Sequence, residues 1–228
     1  MIRFIAAFIM LLFVIPLFSI NGEWIGKISE VEQKELEKEI KVLEKELKND
    51  KSNYEIITKL GFCYHFLSIK GKKVAQKSIN SFEESLKIKE DNLIRAYYAS
   101  AVGLLGGEKM DLTYLNKCFK IMDEVLEKDP ENESVLILAL TNSLAMPDFV
   151  FPKREPVAKK SLETLEKMYS ENKLSEGFYP VVLLKKGDFL LKQKNLTDAK
   201  KTWKEIVEKF PDTKSATDSK KLLDKYSE

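Results

Sequence analysis

The sequence predicts an all-α protein, with about ten helices paired into antiparallel hairpins and stacked as a right-handed solenoid. Three observations predict it. From Ile28 onward, apolar residues recur at steps of three and four, the period of a helix with one buried face. No stretch alternates as a half-buried strand does, and the short apolar run Phe149-Val150-Phe151 is bounded by Pro147 and Pro152. Finally, a pattern of small, bulky and helix-breaking residues returns at intervals near 40, as in repeat architectures.

Residues 1–22 stand apart. Arg3 precedes an apolar run from Phe4 to Ile15, Pro16 breaks it, and Ser19 or Gly22 offers a small residue for cleavage. That is the layout of a secretory signal peptide. The apolar stretch continued to Ile20 nears the lower limit of a membrane span, about 17 residues, so an uncleaved anchor is the alternative. No cysteine lies at the cleavage region, which argues against lipoprotein processing. Either way, the rest of the chain is expected outside the cytoplasm.

Residues 23–52 are expected to hold one leading amphipathic helix, with Ser29 and Glu32 as a capping box and a narrow stripe of Leu36, Ile40, Leu43 and Leu47. That stripe is too short for a coiled coil and is expected to pack on the first repeat. Residues 53–228 form the repeat domain. Asn53 caps a helix with Ile57, Leu60, Tyr64 and Leu67 inward; the next runs from about Val74 to Ile88. Asp91 or Asn92 starts a helix that Gly106-Gly107 stops, and Asp111 caps its successor, which ends at Pro130. Glu131 to Ala145 follows, then a helix opened by Pro156 and one with Pro180 in its first turn. The last two, Thr197–Phe210 and Ser215–Tyr226, flank Pro211, and the second closes the array as a polar cap.

The repeat lies in the second helix of each hairpin. Ser78, Phe82, Ser85 and Glu90 fit it, as do Cys118, Met122, Val125 and Pro130. Ala199, Trp203, Ile206 and Pro211 fit it best; Ser161, Leu165 and Met168 form a weaker copy. Small residues let two helices approach, bulky ones fill the groove, and Pro stops the helix where the chain reverses. These positions, with Leu60-Gly61 and Tyr64 in a first helix and turns such as Asp129-Pro130-Glu131-Asn132, resemble the tetratricopeptide (TPR) family. The bulky positions recur at 40, 43 and 38 residues, longer than that family's period of about 34. Residues 53–169, through Ala96 to Ala101 and Asn142 to Pro147, resemble a group of exported bacterial TPR-like proteins generally without an assigned function. A more distant likeness, of architecture, is to the helical T-component of TRAP-type solute transporters. The resemblance implies the periplasm or cell envelope of a bacterium.

Chemistry is sparse. Lys and Arg (38) nearly balance Asp and Glu (36), so no global field attracts nucleic acid. Only Arg3, Arg95 and Arg154 are arginines, leaving few forks for phosphate or carboxylate recognition. His65 is the single histidine, and Cys63, two residues earlier, points to a different helix face, so the two do not form a metal site. A satisfied or exposed histidine is expected there. No zinc spacing, nucleophile elbow or phosphate loop appears, and no cofactor, metal or catalytic residue is expected. Cys63 and Cys118 are expected as buried free thiols, with a disulfide as the alternative.

Seven residues are candidates for partner or ligand binding: Tyr64, Tyr97, Tyr98, Asn142, Phe149, Phe151 and Arg154. Tyr97 and Tyr98 lie about 100° apart on a helix, so one ring packs inward while the other faces the concave surface, unless both pack between hairpins. Asn142 sits in an apolar helix and needs a partner, from the loop at Met146–Pro152 or from a ligand. Phe149 and Phe151 belong to that loop, as a pocket rim or tucked under a helix, and Arg154 at its exit is expected as a rim residue or as a solvent-facing helix starter. The resulting expectation is a non-catalytic scaffold that binds a protein or peptide on its concave face. The alternative is a solute-binding accessory of a transport system, with an enclosed apolar pocket around Tyr97, Tyr98, Asn142 and Phe151. A small-molecule or lipid ligand fits the alternative; a membrane would be met only through an uncleaved N-terminus.

Overall fold

The computed structural model describes residues 22–175 and 177–227. Eleven α-helices and no strand occur among them, so the chain is all-α as its apolar spacing requires. In order they are α1 (Gly22–Glu30), α2 (Gln33–Leu47), α3 (Tyr54–Ile69), α4 (Ala75–Ile88), α5 (Asn92–Lys109), α6 (Leu112–Lys128), α7 (Glu133–Leu144), α8 (Phe151–Ser170), α9 (Tyr179–Lys192), α10 (Leu196–Lys209) and α11 (Lys214–Lys225). The leader expected over 1–22 lies outside the described residues, apart from the start of α1. None of the described helices is long and apolar enough to cross a membrane.

Short polar side chains open six of the helices. Asn53, Asp91, Asp111, Asn132, Asn195 and Thr213 each accept a hydrogen bond from a backbone N–H of the first turn. Each such cap is worth about 1 kcal/mol and fixes where the chain changes direction.

Three expectations about boundaries need correction. The leading segment is two helices: α1 buries Trp24, Ile25 and Ile28, α2 buries Leu36, Ile40 and Leu43, and the chain turns between them. Ser29 therefore does not cap α2; its hydroxyl donates back to the Gly26 carbonyl. Gly106 and Gly107 do not stop α5, which runs on to Lys109 and ends at Met110 in the left-handed region (φ 54°). A Cβ on Gly106 would sit 3.0 Å from Tyr114 Cβ, so this glycine serves helix contact rather than chain reversal. Pro156 does not open α8 but lies inside it; the helix starts at Phe151 with Pro152 in its first turn. The N–H missing at Pro156 leaves the usual helix bond to the Pro152 carbonyl unmade, and both residues are exposed.

Consecutive helices pack as antiparallel hairpins: α3 with α4, α5 with α6, α7 with α8, and α9 with α10. Odd-numbered helices also touch one another in series, α1 on α3, then α5, α7, α9 and α11. In three hairpins a glycine of the first helix lies against the second. A Cβ on Gly61 would fall 2.6 Å from the Phe82 ring, one on Gly103 3.1 Å from Cys118 Sγ, and one on Gly187 would overlap Trp203. Ser78 Oγ also donates to the Gly61 carbonyl at 2.8 Å. Ser78, Phe82, Cys118 and Trp203, four of the small and bulky positions legible in the sequence, are thus contact points within hairpins.

The core divides into three clusters. The first spans α1 to α6 and takes Val135, Leu138 and Ala139 from one face of α7. The second takes Leu136, Leu140 and Leu144 from the other face of α7, with α8, Val182 and Phe189. The third joins Leu183 to Ala199, Trp203, Ile206 and Ala216. Helices α7 and α9 are therefore buried on two sides, which explains why α7 reads as apolar nearly all round.

Candidate functional site

Between the hairpin α7–α8 and the helix α9, at the end of α7, the start of α8 and the end of α9, lies a cleft of about 1020 Å³. Its apolar wall is Leu144, Phe151, Pro152 and Leu191. Asp148, Glu155 and Asp188 supply three carboxylates, and Lys185, Lys192 and Lys194 three ammonium groups.

Local sequence chemistry builds each side. Pro147 ends the α7 segment, and its carbonyl accepts the N–H groups of Val150 and Phe151, both at 2.9 Å, which turns the chain directly into α8. That turn buries Phe151 against Phe189, with ring centroids 6.3 Å apart, and leaves Phe149 as an exposed tip. Lys192 then straps the cleft. Its ammonium donates to the Met146 carbonyl at 2.9 Å and to Asp148 at 2.8 Å, and it lies 5.8 Å from the centre of the Phe151 ring. The bond from Lys192 holds the Asp148 carboxyl below its ordinary range. Gln193 donates to Glu155 at 2.7 Å, a second strap across the same gap.

A smaller cleft of about 370 Å³ separates α6 from α8 over Leu136. Beside it, Arg154 donates both terminal nitrogens to Asp123 at 2.9 and 2.8 Å and stacks 4.5 Å over Phe119. Only 7% of the Arg154 side chain is exposed, against 45% for Asp123.

The seven candidate residues are not gathered at one place. Phe151 alone of them lines the large cleft; Phe149 stands next to it, and Arg154 reaches away from it to α6. Tyr64 is buried, with its hydroxyl donating to Glu44 of α2 and Lys77 of α4 over its ring. Tyr97 is buried in an aromatic group with Phe62, Phe66, Phe82 and His65, and burial raises its phenol. Tyr98 donates to Glu83 of α4 at 2.9 Å, and Lys117 of α6 lies over its ring, so it occupies the groove between even-numbered helices. Asn142 accepts from Ser100 of α5 at 3.0 Å, while its buried Nδ2 has no partner.

Three comparisons place no known protein beside this one. No family model, no curated protein and no solved structure matches the chain.

The two cysteines and the histidine are sequestered. Cys63 and Cys118 are buried and free; burial raises both thiols, that of Cys118 to about 12. His65 is neither exposed nor satisfied, contrary to expectation: it is buried and neither ring nitrogen has a partner. Desolvation lowers its pKa to about 3. Among the described residues no group of three or more His, Cys, Asp or Glu is placed to hold a metal. The sequence reading missed Asp148, Glu155, Asp188, Lys192 and Gln193 as cleft residues. In a chain this rich in Lys and Glu, no local signal separates them from ordinary helix surface.

Proposed function

We propose that this chain is a TPR-like helical-repeat scaffold that binds a protein or peptide segment in the cleft between α7–α8 and α9. The observation that carries the reading is the cleft itself: about 1020 Å³, open to solvent, between two consecutive hairpins. Sites for small solutes measure about 300–1,000 Å³ and enclose most of their ligand. An open cleft at the top of that range suits a polymer that enters and leaves it. Four of its six charged groups form two ion pairs, Lys192 with Asp148 and Lys185 with Asp188, and each pair can exchange partners with a segment that carries both signs. The solenoid reading rests on the serial contact of odd-numbered helices and the recurring glycine-on-partner packing. A place in the bacterial cell envelope rests on residues 1–22 of the sequence.

The test is selection of binders from a random peptide display library on the full chain, followed by affinity measurement against variants. Ala145 is exposed and lines the cleft, so Ala145→Trp should fill it and weaken selected peptides at least tenfold without lowering the melting temperature. The control Val42→Trp, at an exposed position on α2, should leave them bound. Peptides that bind both variants as tightly as the parent, or a library that yields no binder, would reject the cleft as the site.

A further inference from the structure

The two ends of the helical row meet. Lys214 Nζ, at the start of α11, lies 3.5 Å from a carboxylate oxygen of Glu30, at the end of α1. From bond lengths, a lysine and a glutamate in such contact hold their backbones within roughly 15 Å. Packed helices sit about 8–10 Å apart, so the five steps from α1 through α3, α5, α7 and α9 to α11 would span roughly 40–50 Å if laid straight. The row has therefore curled until its ends face each other, and the odd-numbered helices form a circuit. Each of the five steps from α1 to α11 is a packed helix contact.

We infer that the Glu30–Lys214 pair is a salt-sensitive clasp that closes the row into a ring, and that the ring opens at this seam. Among the described residues the seam shares no core: the buried side chains of α1 belong to the first cluster and Ala216 of α11 to the third. Both charged side chains are more than half exposed, so the attraction acts through water. It is screened as the Debye length falls from about 10 Å in 0.1 M salt to about 3 Å in 1 M. Opening at the seam relaxes the curvature of the circuit, and the wedge between α7 and α9 lies within that circuit. The clasp therefore adjusts the width of the proposed peptide cleft. It stands on helix contacts rather than on peptide binding, so the two tests fail separately.

The experiment uses the full chain with nitroxide labels at Glu32→Cys and Thr217→Cys, both exposed positions; the chain's own two cysteines are buried. Pulsed electron paramagnetic resonance reads the distance between labels. A short, narrow distribution is expected in 20 mM NaCl, with a longer population appearing in 1 M. Lys214→Glu should give the long population already in 20 mM, and adding Glu30→Lys should restore the short one. A distribution that responds neither to salt nor to Lys214→Glu overturns the clasp, as does one that is long under every condition.

Discussion

His65 is the residue whose surroundings have the clearest consequence. It lies edge-on to Phe66 and Tyr97, 5.3 and 5.2 Å between ring centroids, and both nitrogens lack a hydrogen-bond partner. A neutral imidazole still carries one N–H, and leaving it unpaired in the core costs about 1–3 kcal/mol. The folded-state pKa of about 3 lies below the unfolded value of about 6.5, so between those values the unfolded chain binds the extra proton. The contribution is fully present above pH 6.5 and is lost as pH falls toward 3, by about 1.4 kcal/mol per pH unit within that window. His65→Leu should hold stability at pH 7 level or raise it by about 1 kcal/mol, and should flatten the acid limb. Urea titrations of both proteins at pH 7, 5.5 and 4.5 measure this; parallel pH profiles would contradict it.

At the scale of elements, α6 and α8 are joined by Arg154 and Asp123, and the two partners are unequally exposed. Asp123→Ala strands a buried guanidinium, whereas Arg154→Met leaves a carboxylate that water can reach. The aspartate variant should therefore lose more, on the order of 2–4 kcal/mol, and the methionine variant about 1 kcal/mol or less. Chemical denaturation of the two single variants ranks them, and the reverse order would refute the argument. Elements were also where sequence reasoning was strongest. Asn53, Asp91 and Asp111 are legible as caps because a short polar side chain before an apolar period has few other roles. Phe82, Met122, Leu165 and Trp203 are legible as core because bulky residues recur with small ones four positions earlier. Gly106 misled because α6 presses on it, so it serves close approach rather than a helix end; Pro156 misled because an exposed proline can sit inside a helix as well as open one. Phe151 could be found as an apolar residue trapped beside a proline. Lys192, more than forty residues away, could not, since only the tertiary approach of α9 gives it Asp148.

For the molecule as a whole, the division of the core into three clusters matters more than the total area it buries. The first cluster draws on α1 to α7 and is much the largest, while the third rests on five buried side chains: Leu183, Ala199, Trp203, Ile206 and Ala216. Two helices, α7 and α9, are the joints, each contributing one face to each neighbouring cluster. A chain built this way behaves as three elements in series under load. Pulled by its two ends in an optical trap, it should yield in separate steps, the C-terminal cluster first and the large N-terminal one last. One all-or-none rupture would show instead that α7 and α9 bind the clusters into a single mechanical body.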